Sequence, residues 1–175
     1  PSLPCVLGYE VVGKVIKVGE NSNADLLNKR VVAFTRFGSY AEVVKTKSIA
    51  VSEIPNELSL GEACALATQY CTAWFSACEM VNLKKGDNVL IHAAAGGVGI
   101  ALVQIAKMKG CKVFGTCSNS EKIEFLKTLG VDYPINYSVK DYETEVEKVL
   151  EGGRIDVSFN CVAGKTYKKD KKLLN

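Results

Sequence analysis

Residues 86–117 constrain the fold more than any other stretch of the chain: a short apolar run, a glycine-rich turn, an amphipathic stretch and a second apolar run. Val89-Leu90-Ile91 is continuously apolar, which suits a parallel strand covered on both faces. Gly96, Gly97 and Gly99 come directly after it. Without a Cβ, glycine lets the backbone turn sharply and come close to a bulky anion. Apolar residues at Ile100, Val103, Ile105, Ala106 and Met108 predict a helix that Gly110 stops. Residues 111–116 then read as a second strand. A strand–turn–helix–strand unit of this length is a parallel crossover.

The chemistry comes from the start of that helix. Its first backbone N–H groups have no partner within the helix, and the macrodipole adds partial positive charge there. Together they form a seat for a pyrophosphate. The dinucleotide fingerprint is G-x-G-x-x-G; here it reads Ala94-Ala95-Gly96-Gly97-Val98-Gly99, with alanine first. A plain tight turn is the competing reading. The position of the triplet, between a buried strand and an amphipathic helix, favours the nucleotide.

A net charge of +3 over 175 residues is too small to argue for nucleic acid. No apolar stretch reaches the ~20 residues that span a bilayer, and neither a secretory signal nor a transit segment is visible. The chain begins with Pro1, which predicts processing or a fragment. Its seven cysteines form no C-x-x-C pair and sit mostly in apolar segments. They read as reduced thiols behaving as small hydrophobes, in a cytoplasmic setting, with no metal cluster.

Ahead of the glycine turn, dense Val and Ile over 5–18 predict one strand bent at Gly13. Residues 30–34, 41–44 and 49–51 read as further short strands, so this first part is all-β. Ser59 and Glu62 form a capping box opening a helix from about Leu60 towards Met80. Cys64, Cys71 and Cys78 recur every seven residues along it and read as a small-residue packing face.

Behind the glycine unit, a helix runs from about Ser120 to Leu129, a strand over 133–137, a helix over 141–150 and a fourth parallel strand over 155–160. Alternating strands and helices from residue 86 onward predict a doubly wound sheet. The lysines of the tail, 165, 168, 169, 171 and 172, read as a solvated helix face, with an anion or membrane-surface patch as the alternative. His92, the only histidine, reads as a packed strand-end residue.

An NAD site usually carries an acid at the end of the second strand to hold the ribose 2′-OH. Here the strand ends Gly115-Thr116-Cys117-Ser118, without one. Ser118 and Lys122 stand where a 2′-phosphate would lie, and a hydroxyl with an ammonium can bind it. NADPH is therefore favoured over NADH. An N-cap for Ser118 and a plain exposed helix lysine for Lys122 are the alternatives.

These pieces, with Leu7-Gly8-Tyr9-Glu10, Arg30-Val31-Val32-Ala33-Phe34, Gly38-Ser39-Tyr40-Ala41-Glu42 and Pro134-Ile135-Asn136-Tyr137, resemble the medium-chain dehydrogenase/reductase superfamily, in its zinc-free quinone-oxidoreductase branch. Asp141-Tyr142 and Lys172-Leu173-Leu174 look closest to a vesicle-associated member. The resemblance implies an α/β fold: part of a GroES-like all-β domain over 1–59, then an incomplete Rossmann-like, doubly wound parallel sheet over 60–175. It implies that Ala95, Gly96, Gly97, Val98 and Gly99 face the pyrophosphate. Ser118, Lys122 and Tyr137 would hold the adenosine ribose phosphate. Thr72 would lie near the nicotinamide side, and Asn160, Cys161 and Val162 would pass close to the cofactor's ribose.

Zinc members of the superfamily carry a histidine between the Gly and Glu of Gly-x-Glu; here Tyr9 stands there, and the four-cysteine zinc lobe is absent. The resemblance also implies a further stretch before Pro4 and two more sheet strands after the fourth, so that one sheet side is left open to another chain or a homodimer. The implied activity is NADPH-dependent reduction of a quinone or an α,β-unsaturated carbonyl, with no catalytic residue assigned. A nucleotide-binding structural protein that keeps the fold without turnover is the alternative.

Overall fold

A computed structural model describes residues 3–174 of the chain, which divides into two compact units after Cys71. The first holds an antiparallel sheet of β1 (Glu10–Lys14), β2 (Arg30–Phe34) and β3 (Val51–Glu53), in that order. Val12 pairs with Val32, and Val32 with Ser52. The Arg30 guanidinium extends the hold beyond the sheet, donating to the carbonyls of Pro55, Asn56 and Leu58.

The strands are shorter than the valine and isoleucine content predicts. Of 5–18, only Glu10–Lys14 joins a ladder. Residues ahead of it bend around a loop instead, where Gly38 and Tyr40 donate their N–H groups to the carbonyls of Val6 and Leu7. Residues 41–44 form no strand: no neighbouring ladder reaches them, and Val43 is exposed. Residues 48–50 make a single tight helical turn, and the strand expected over 49–51 begins only at Val51.

Ser59 caps α1 (Leu60–Ala65) in a complete capping box with Glu62. The helical run then widens into π turns at Leu66–Tyr70, returns to α geometry in α2 (Cys71–Trp74) and widens again at Phe75–Met80. Each wide turn takes up more residues than an α turn and rotates the helix beyond it. The seven-residue cysteine stripe is therefore not the packed face: Cys71 is exposed, and Ala63, Ala67, Ala73 and Ala77 are buried in its place.

The second unit alternates strictly: β4 (Asn88–Ile91), α3 (Gly97–Met108), β5 (Lys112–Cys117), α4 (Ser120–Thr128), β6 (Tyr133–Asn136), α5 (Tyr142–Leu150), β7 (Val157–Phe159) and α6 (Lys165–Leu173). All pairings in its sheet are parallel, in the order β6-β5-β4-β7. Val89, Leu90 and Ile91 are fully buried, as a strand covered on both faces requires. On one face Leu90, Phe114 and Ile135 pack with Tyr142 and Val146 of α5 and Leu173 of α6. The strand order reverses between β4 and β7, and ligands of open α/β sheets bind beyond the strand ends at such a switch point. Among the described residues β7 has a sheet neighbour on one side only.

Candidate nucleotide site

The turn after β4 is suspended between its neighbours. His92 donates its N–H to the Phe159 carbonyl of β7, and Ala94 donates to the Thr116 carbonyl of β5, both at 3.0 Å. The first glycine of the fingerprint is not missed. Ala93, one residue earlier, takes the left-handed conformation (φ 50°) and makes the sharp bend itself. Gly99 is essential in another way: a Cβ there would stand 2.3 Å from the Ala93 carbonyl oxygen, so only glycine lets α3 start this close to the turn. Gly96 is the N-cap and offers no side chain to the first turn. Gly96 and Gly97 are exposed, with Ala95 and Val98 half-buried beside them. No side chain of residues 95–99 covers the N–H groups of the first α3 turn at the exposed Gly96 and Gly97.

At the ends of β5 and β6, Tyr137 donates its N–H to the Cys117 carbonyl at 3.0 Å, and the Ser138 hydroxyl donates to the Ser118 carbonyl at 2.8 Å. These bonds bring the loops bearing Ser118 and Tyr137 side by side. Asn119, not Ser118, caps α4, accepting the Lys122 N–H at 2.9 Å, so the Ser118 hydroxyl has no capping role. Lys122 is exposed at the first turn of α4, and among the described residues no carboxylate pairs with it. Burial pushes the Cys117 thiol up, and the nearby Lys122 ammonium draws it partly back.

Beyond β7, Asn160 folds its own loop: its Oδ1 accepts the N–H groups of Val162 and Ala163. Cys161 Sγ lies 4.0 Å from the His92 carbonyl oxygen, so residues 160–163 border the glycine turn. Thr72 is exposed on α2, outside the strand–turn–helix unit, with its carbonyl accepting the Ser76 hydroxyl at 2.8 Å.

One group escaped the reading of the sequence. Asp170 of the lysine-rich α6 is 3% exposed. Its carboxylate accepts from His92 Nε2 (3.0 Å), Tyr142 Oη (2.7 Å), Ser158 Oγ (2.8 Å) and Asn160 Nδ2 (2.7 Å). A carboxylate only accepts, so Nε2 of His92 carries the hydrogen. Thr116 Oγ1 lies 3.2 Å from the other ring nitrogen. Burial pushes the Asp170 carboxyl up, but the bonds from His92, Tyr142 and Ser158 outweigh it and hold it at about 2. Burial first, then the bond to Asp170, drives the Tyr142 phenol far above its ordinary value. Asp170 falls three residues before the buried Leu173, the spacing of one helix face, and this was the only local sign of it. Lys165, Lys168, Lys171 and Lys172 are exposed, as expected, but Lys169 is half-buried and paired with Asp141 and Glu143. His92 is packed at the strand end, as expected, but within a polar network.

Three comparisons with known proteins bear on this geometry. Residues 97–175 match a family described as zinc-binding dehydrogenase. The synaptic vesicle membrane protein VAT-1 homolog of Homo sapiens is 38% identical over 99% of this chain and 44% of its own length. Prostaglandin reductase-3 of Mus musculus is 38% identical over 95% of this chain and 44% of its own length. The crystal structure of Escherichia coli quinone oxidoreductase complexed with NADPH superposes with a TM-score of 0.94, at 29% identity, covering all of this chain and 54% of that one. The chain belongs to the medium-chain dehydrogenase/reductase superfamily, in its quinone-oxidoreductase branch. It spans about half the length of these relatives. Its parallel sheet is the Rossmann-like nucleotide-binding half of that fold, and its antiparallel sheet belongs to the GroES-like part. Among the described residues no three His, Cys, Asp or Glu side chains converge as a metal site would require, and no helix is long and apolar enough to cross a membrane.

Proposed function

We propose that this chain is the nucleotide-binding part of a zinc-independent, NADPH-dependent reductase of quinones or α,β-unsaturated carbonyls. The observation that carries the reading is the pairing of an open glycine cradle with an acid-free β5 end under an unpaired lysine. The cradle fits a diphosphate because a Cβ at Gly99 would close it, and the N–H groups of the first α3 turn have no intrahelical acceptor. Ser118, Lys122 and Tyr137 hold the 2′-phosphate by charge and hydrogen bonds. Cys161 and its neighbours line the ribose beyond, and Thr72 lies towards the nicotinamide. When bound, the nicotinamide supplies the hydride; the chain supplies binding and orientation.

Zinc independence is read from the donor set: Tyr9 occupies the place of a metal-binding histidine, and His92 is committed to Asp170. The names of the quinone oxidoreductase with NADPH and of prostaglandin reductase-3 agree with the substrate class. We assign residues 1–59 to the GroES-like part and 60–175 to the nucleotide domain. We place the protein in the cytoplasm, with the free side of β7 pairing in the full-length protein or a homodimer.

A second reading is favoured by one observation: His92 and Tyr142 are both buried and bonded to Asp170, so neither is free to serve as the proton donor of a reduction. A nucleotide-binding structural protein, in line with the VAT-1 relative, would need none. Fluorescence titration of the full-length protein with NADPH tests the first step. Failure to bind millimolar cofactor ends both readings. Binding followed by oxidation across a panel of quinones and enones supports the reductase; binding without it supports the structural protein.

A further inference from the structure

Two loops border the switch point between β4 and β7, and one buried carboxylate reaches both. In the first, Ala93 is left-handed directly after His92. In the second, Ala163 is left-handed (φ 59°), with Asn160 accepting its N–H at 2.8 Å and Thr166 Oγ1 donating to its carbonyl at 2.7 Å. Alanine persists in that region only where its surroundings over-determine it, and such residues gather at ligand clamps. The residue that begins each loop, His92 or Asn160, is itself bonded to Asp170. The two loops also touch each other, through Cys161 Sγ and the His92 carbonyl. By contrast, no bond at Asp170 goes to Ser118, Lys122 or Tyr137.

We infer that Asp170 is a positioning residue for the nucleotide site, fixing from α6 the two strained loops that frame its diphosphate end. The inference rests on the NADPH reading above. Asp170 touches no cofactor; it acts through His92 on the turn that opens α3 and through Asn160 on residues 161–163. Four donors leave the carboxylate one arrangement, so both loops are set before any ligand arrives. The 2′-phosphate end lies outside its reach.

This separation makes the test. Calorimetric titration of the full-length protein with NADPH and with adenosine 2′-monophosphate, which lacks the diphosphate, compares the whole site with its 2′-phosphate end alone. Asp170→Asn is expected to weaken NADPH about tenfold, since loop misplacement costs that much, while the 2′-monophosphate stays within about twofold. A loss of general integrity would weaken both ligands alike and overturns the inference, as does an unchanged NADPH affinity. If the wild type binds neither ligand, the NADPH reading itself fails, and this inference with it. Should Asp170→Asn not fold, His92→Ala cuts the first arm, leaves the turn's backbone bonds to Phe159 and Thr116 in place, and is held to the same criterion.

Discussion

The two ends of the candidate site, a few residues apart along one sheet edge, are built in opposite ways. At the β5–β6 end, Ser118 and Tyr137 sit on loops held through two backbone carbonyls, Lys122 stands on the first turn of α4, and Tyr137 is half exposed. At the β4–β7 end, left-handed alanines, a glycine pressed on a carbonyl and a buried carboxylate with four donors leave the chain no freedom. A charge that only has to meet another charge tolerates a soft mount. Backbone N–H groups that must converge on one anion need a rigid one.

The contrast can be broken most severely at Gly99. Gly99→Val would drive a Cβ into the Ala93 carbonyl. We expect a loss of about 3 kcal/mol or more in urea unfolding, and no detectable NADPH binding. The second effect falls on Asp170. Its folded value of about 2 lies below the ordinary carboxyl value of 3.8, so its contribution is complete above pH 4 and is lost as pH falls from about 4 to 2. That contribution is about 2 kcal/mol, and Asp170→Asn should flatten the acid limb of a stability–pH curve across this window. A wild-type curve already flat there would show that the network does not hold the carboxylate charged.

Softer effects belong to the other end. Lys122→Ala should weaken NADPH about tenfold while leaving NADH and overall stability unchanged, the signature of a lost charge-assisted bond. Equal losses for both cofactors would move the lysine out of the phosphate site. Smallest of all, Ser118→Ala should cost about twofold to threefold in NADPH affinity, one neutral bond in an exposed place. If it exceeds Lys122→Ala, the hydroxyl rather than the ammonium is the main contact.

Legibility in the sequence obeys the same divide. The strand–glycine–helix unit was visible because its signals are local: a continuous apolar run, three glycines and a period of one helical turn. The capping box at Ser59 and Glu62 was visible for the same reason. The acid-free end of β5 could be read by looking a few residues along. Asp170 could not, because its partners come from β4, α5, β7 and the loop beyond, and its neighbours in sequence are lysines that advertise solvent. Residues 41–44 have strand-like composition, but pairing is decided by a neighbour that propensity does not know about. The cysteine stripe failed because spacing predicts a face only while the helix keeps one pitch, and π turns change it.

The methyl group on Ala93 has a further meaning. Glycine adopts that bend freely, whereas alanine is held there at a penalty of about 1 kcal/mol. Glycine would also give the unfolded chain more freedom, and the two effects run against each other. A bend that glycine could make at leisure is made here by a residue with few other shapes open to it, which favours a hinge that does not swing over one that does.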